Sequence, residues 1–235
     1  MLNKNVLLFL PLSLLISHAS ANVVIGGTRV VYPENEKEVT VKVNNTGAKP
    51  VLIQSWIDDG NPNANPDTIS VPFILKPPLN RIDAGKGQSL RLTYVGSTLA
   101  RDRETLYWLN VLEVPSVNQN SGSQNNLQIA YRTRLKIFYR PNGLDKDLDK
   151  SMGSLKWHLT ANSLEAKNDS PYYVNLLDVR VKHAGQQKII DADMVPPFGT
   201  ASFPLKGEII NKSDMLIYDY INDWGALNSI NFTLQ

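Results

Sequence analysis

NLQIAYRTRLKIFYRP, residues 126–141, is the stretch on which the fold turns. Leu127, Ile129, Tyr131, Thr133, Leu135, Ile137 and Tyr139 share one parity, while Gln128, Arg132, Arg134, Lys136 and Arg140 share the other. Side chains of an extended strand alternate between faces, so one face is apolar and the other basic. Strands in globular proteins run to roughly 5 to 6 residues. A run this much longer either projects past one neighbour or serves two surfaces. An apolar strand edge left open invites pairing with another chain, so a sequence that keeps one either covers it or uses it to pair.

On either side of this strand the chain continues in short alternating runs cut by Gly, Pro, Asn and Asp, with no sustained helical period. The pattern predicts an all-β protein. Before the long strand, runs fall at 23–32, 38–44, 51–58, 73–76, 89–94 and 105–113. With the long strand that is the strand complement of an immunoglobulin-like sandwich. Asn45-Thr46-Gly47, Asp59-Gly60-Asn61-Pro62 and Ala84-Gly85-Lys86-Gly87 supply turn chemistry, the last as a hairpin turn. Residues 114–126, rich in Ser, Asn, Gln and Gly, read as a mobile loop ahead of the long strand.

Pro141-Asn142-Gly143 and the charged run from Asp145 to Lys150 interrupt the alternation. A second series follows, with runs at 155–159, 164–168, 173–182, 188–192, 201–204, 208–211, 215–222 and 230–234. The expected domains are therefore residues 22–141 and 142–235.

Residues 1–21 read as a secretory signal peptide: Lys4, the apolar run Val6 to Ile16, then Ala19-Ser20-Ala21 as a small-residue cleavage site. The apolar core is shorter than the roughly 20 residues a membrane span needs, so an exported product without membrane insertion is expected. Lys4 is the one charged residue in that segment, and its removal takes the formal charge from +2 to +1. So even a balance argues against nucleic acid as a partner. The chain has no cysteine, so core burial rather than disulfides must stabilise it.

Catalytic chemistry finds little to work with. Beyond the signal segment the only histidines are His158 and His183, and there is no thiol and no Gly-x-Ser-x-Gly elbow, so no catalytic residue is assigned. Two distant histidines do not make a zinc site. Asp59, Asn61, Asn63, Asn65 and Asp67 alternate like calcium ligands, but Ala64 stands where the loop needs Gly and Ser70 where it needs Glu. No metal and no cofactor is expected.

Four motifs occur in order: Gly27-Thr28-Arg29-Val30-Val31-Tyr32, then Asp102-Arg103-Glu104-Thr105-Leu106-Tyr107-Trp108-Leu109-Asn110, then Lys136-Ile137-Phe138-Tyr139-Arg140-Pro141, then Tyr220-Ile221-Asn222-Asp223-Trp224-Gly225. Together they resemble the periplasmic pilus (fimbrial) assembly chaperones, over nearly the whole mature chain. The resemblance implies two immunoglobulin-like β-sandwich domains in a boomerang arrangement, working in the periplasm. It implies pilus subunits as partners, delivery to an outer-membrane usher, and donor-strand complementation, the known form of strand addition in which a chaperone lends the strand a subunit lacks. Carried onto this chain, Leu127, Ile129 and Tyr131 are the donor residues, and Arg29 and Lys136 anchor the subunit's C-terminal carboxylate. Lys136 falls on the opposite parity from Tyr131, so either a bulge or the reach of its side chain brings it to bear. Glu104, Arg140 and Asp223 match charges used between the two domains. The short loop and lack of cysteine resemble the short-loop branch of the family. Apart from the resemblance, an exposed apolar edge encourages self-association that would cap the donor strand. The alternative from another class is a secreted sandwich acting as an adhesin or carbohydrate-binding protein, which predicts exposed aromatics in loops, whereas the four Trp fall in or beside predicted strands.

Overall fold

A computed structural model of the chain describes residues 22–96, 99–115, 129–144, 148–183, 186–211 and 214–234. The signal segment, Leu127 and residues 116–126 of the expected loop lie outside these. The first nine strands are β1 (Val23–Ile25), β2 (Arg29–Pro33), β3 (Val39–Asn45), β4 (Val51–Asp58), β5 (Phe73–Lys76), β6 (Leu79–Ile82), β7 (Gly87–Tyr94), β8 (Thr105–Pro115) and β9 (Tyr131–Arg140). They make one sheet of order β1-β3-β7-β5 and a second of order β2-β9-β8-β4-β6. Inward residues of both, among them Val43, Ile53, Leu90, Leu109 and Ile137, close a single hydrophobic core.

A short helix α1 (Leu148–Met152) leads into β10 (Lys156–Leu159), β11 (Ser163–Lys167), β12 (Val174–His183), β13 (Gln186–Asp191), β14 (Met194–Val195), β15 (Thr200–Pro204), β16 (Met215–Ile221) and β17 (Leu227–Thr233). These form sheets β10-β11-β15 and β13-β12-β16-β17, with β14 also on β12. A separate core built on Trp157, Leu164, Val179, Val181 and Leu216 lies between them. The protein is all-β, in two sandwich domains.

Several expected runs differ in detail, each for a local reason. The run 23–32 is two strands in different sheets, because the chain crosses at Gly26-Gly27, where Gly27 has φ +127°, a conformation that side chains disfavour. The Ala84 to Gly87 turn joins β6 to β7 across the two sheets, so it is not a hairpin. Residues 208–211 are not a strand, since Lys206 at φ +51° and Gly207 at φ +87° turn the chain and the Glu208 amide closes back on the Leu205 carbonyl at 2.9 Å. β9 starts at Tyr131, opposite Glu113 of β8, rather than at the expected Leu127, and Leu127 and Gln128 lie outside the described residues.

Candidate functional site

β9 pairs with β8 from Tyr131 opposite Glu113 to Tyr139 opposite Thr105, without a register shift. On its other edge β2 runs parallel and covers only Lys136 to Arg140. The main chain of residues 131–135 therefore has no strand partner on that edge among the described residues. The side chains there continue the inward row. Leu135, Ile137 and Tyr139 are buried in the core, whereas Ile129 and Tyr131, of the same parity, are 53% and 61% exposed. A row built for an apolar interior thus runs past the end of its own sandwich, beside unpaired backbone. Leu127 lies outside the described residues.

Arg29 and Lys136 are register partners across the β2–β9 pair. Because Val30 and Tyr32 of β2 and Leu135 and Ile137 of β9 turn inward, both cations face out of the core, toward the second domain. The unbroken β8–β9 register removes the bulge alternative for Lys136. Its ammonium projects from the opposite face to Tyr131, lies 5.7 Å from the Trp108 ring centroid, and donates to Asn175 Oδ1 at 3.1 Å and Asp193 Oδ1 at 3.3 Å. Arg29 Nη1 donates to the Ile221 carbonyl at 2.8 Å, while its Nε is buried with no partner. Burial draws the Arg29 guanidinium below its ordinary pKa, with the Asp223 charge pulling the other way. Two adjacent cations with donors to spare, one of them orphaned, are suited to holding a carboxylate.

The last residue of β9 reaches across to the second domain. Arg140 donates from Nε to Glu104 Oε1 at 2.8 Å and forks onto Asp223 at 2.6 and 3.0 Å. Glu104 is only 3% exposed. Its Oε2 accepts from the Tyr173 amide at 2.8 Å and its own amide donates to the Pro171 carbonyl at 2.9 Å. The guanidinium lies over the Tyr172 ring, 5.1 Å from its centroid, and Phe138 packs on Tyr173 at 5.7 Å. Burial pushes the Glu104 carboxyl up, against the pull of Arg140 and the Tyr173 amide. Burial also opposes the Arg140 charge, but Asp223 and Glu104 together hold its pKa above the ordinary value.

Asp223 is placed by a tight turn. Asn222 Oδ1 accepts from the Trp224 and Ala226 amides at 3.1 and 2.9 Å, and Gly225 takes φ +79°. A Cβ on Gly225 would stand 3.0 Å from Thr28 Oγ1, so the turn sits directly against the first domain beside Arg29. Trp224 at its tip is 92% exposed, unlike Trp157, which is buried in the second core.

Asn175 and Asp193, which meet Lys136, carry no motif. An Asn inside the apolar run 173–182 was the one available cue, and Asp193 offered none. The same holds for buried Asp58, which Arg134 Nη2 reaches at 2.6 Å and Asn110 Nδ2 at 2.6 Å. Among the described residues no cluster of His, Cys, Asp and Glu could hold a metal ion, and no helix is long and apolar enough to cross a membrane.

Two family models cover this arrangement: "Pili and flagellar-assembly chaperone, PapD N-terminal domain" over residues 22–145 and "Pili assembly chaperone PapD, C-terminal domain" over residues 150–232. The chain belongs to the pilus-assembly chaperones. It is 40% identical over 218 residues, 89% of each chain, to the probable fimbrial chaperone YadV of Escherichia coli K12. The crystal structure of the Pseudomonas aeruginosa CupB2 chaperone is similar with a TM-score of 0.78 at 36% identity, covering 90% of this chaperone and 100% of that one. The Salmonella enterica SafB chaperone, solved in complex with the SafA pilin, is similar with a TM-score of 0.77 at 27% identity, covering 93% and 99%. Because these similarities span both domains, the chaperone shares the family's two-domain architecture, and membership sets aside the adhesin alternative. The family is periplasmic.

Proposed function

We propose that this chaperone captures pilus subunits by donor-strand complementation, lending the segment that contains Leu127, Ile129 and Tyr131 to a subunit that lacks a strand. The observation that carries this reading is the inward row of β9 continuing, exposed, beyond its own core next to unpaired backbone. The subunit's main chain pairs with that edge while Ile129 and Tyr131 fill its open groove. Arg29 and Lys136 hold the subunit's terminal carboxylate, and Lys136 does so from the opposite face of β9 by side-chain reach rather than by a bulge. The likeness to SafB, solved with a pilin, supports a subunit as the partner. Glu104, Arg140 and Asp223 fix the angle between domains 22–141 and 142–235. The chaperone reaches the periplasm by means of its signal peptide, residues 1–21, passes its cargo to an outer-membrane usher, and works without catalysis.

Ile129→Asp tests the donor segment. Burying an aliphatic side chain of this size is worth about 1.5 to 3 kcal/mol, and an aspartate placed in the subunit's groove adds an unpaired charge. Capture should fall by at least about tenfold to a hundredfold, while the thermal transition of the chaperone stays in place because the residue is solvent-exposed. Co-purification with a co-expressed subunit reads the result. Unchanged capture would dismiss this segment as the donor.

A further inference from the structure

Asp193 approaches the anchoring pair from the second domain, in the connection between β13 and β14. Its main chain is tied down: its carbonyl accepts from the Leu176 amide at 3.3 Å, and the next residue, Met194, is the register partner of Asn175. Its side chain is not. It is 83% exposed, yet Oδ1 lies 3.3 Å from Lys136 Nζ. Among the described residues it is the only carboxylate hydrogen-bonded to either member of the pair, since Asp223 and Glu104 are engaged by Arg140. Lys136 thus already holds a carboxylate, and the protein itself supplies it.

We infer that Asp193 is an internal stand-in for the ligand, occupying the Lys136 ammonium until an incoming carboxylate displaces it. The inference rests on the anchoring role proposed above for Arg29 and Lys136. Two carboxylates drawn to one ammonium repel each other, so the guest binds in competition with Asp193. Asn175, buried and held in β12, keeps its bond to the ammonium throughout and supplies the fixed point about which the exchange takes place. The exposed Asp193 side chain is free to swing out while its main chain stays anchored. The arrangement keeps the lysine oriented in the empty state and raises the threshold for weak anions. An exposed ion pair is a modest contributor, so the competition is worth about twofold to fivefold in affinity.

The test uses the full mature chain and a synthetic peptide with the C-terminal sequence of a pilus subunit, made once as the free acid and once as the amide. Titration calorimetry at low salt compares the unaltered protein with Asp193→Asn and Asp193→Ala. Both variants should bind the free acid about twofold to fivefold more tightly, bind the amide as before, and melt at the unaltered temperature. Free-acid binding that is unchanged or weaker in the variants, or tightening that is equal for acid and amide, overturns the inference while leaving the anchor intact. Equal binding of acid and amide by the unaltered protein removes the anchor itself, and the stand-in with it.

Discussion

Lys136→Ala and Arg29→Ala each yield a folded chaperone that no longer protects a co-expressed pilus subunit from degradation. The expected loss follows from where these cations sit. Truncating one partner of a desolvated, hydrogen-bonded charge pair costs about 2 to 5 kcal/mol, a weakening of roughly thirtyfold to several thousandfold. Arg29 should fall at the upper end, because its Nε is already buried without a partner and its guanidinium is already partly desolvated. Lys136 should fall lower, since its ammonium is partly satisfied by Asn175 and Asp193. Neither side chain belongs to a hydrophobic core, so the thermal transition should move little. Subunit recovery from periplasmic extracts and calorimetry with the subunit's C-terminal peptide check the two arms. Protection at the unaltered level by both variants would mean that the carboxylate is held elsewhere.

Arg140→Ala carries the second large effect, on stability rather than on capture. Its guanidinium bonds two carboxylates at once, and one of them, Glu104, is sealed from solvent. Removing the arginine leaves Glu104 with only the Tyr173 amide to offset its charge. An uncompensated buried charge costs about 3 to 5 kcal/mol, and here that cost falls on the contact between the domains. Denaturant unfolding should therefore change from one cooperative transition to two, one for each sandwich. Adding Glu104→Gln to Arg140→Ala removes the stranded charge and should recover a substantial part of the loss. A double variant no better than Arg140→Ala would show that lost packing on Tyr172, rather than stranded charge, sets the penalty.

Much of the first sandwich is legible in the sequence because its strands are half-buried and alternate cleanly. Val51–Asp58 and Phe73–Lys76 can be read to the residue from parity alone. β6 escapes notice because Leu79–Ile82 follows Pro77-Pro78, which argues for a turn, and because Leu79 faces outward. The split between β1 and β2 is hidden by apolar runs on both sides of Gly26-Gly27 that look like one strand. In the candidate site, the overhang of β9 is written into a continuous stretch of sequence, so it can be seen locally. The Arg140 network is a different case: its partners stand 36 and 83 residues away, and only a family resemblance singles them out. Asp193 illustrates what no local pattern holds, since it is an ordinary turn aspartate until the second domain folds against Lys136.

The short reach of β2 along β9 gives the vacant edge a blind end. A subunit strand whose terminal carboxylate is held as proposed above would end where Arg29 begins, in line with β2, which runs parallel to β9, and in the same polarity. The distance from its terminus to each of its pockets is thereby counted in residues, as along a ruler with a stop at zero. On the anchoring proposed above, lengthening the subunit's tail by one amino acid would put it out of phase and present every side chain on the wrong side, so tail length would count in the choice of cargo.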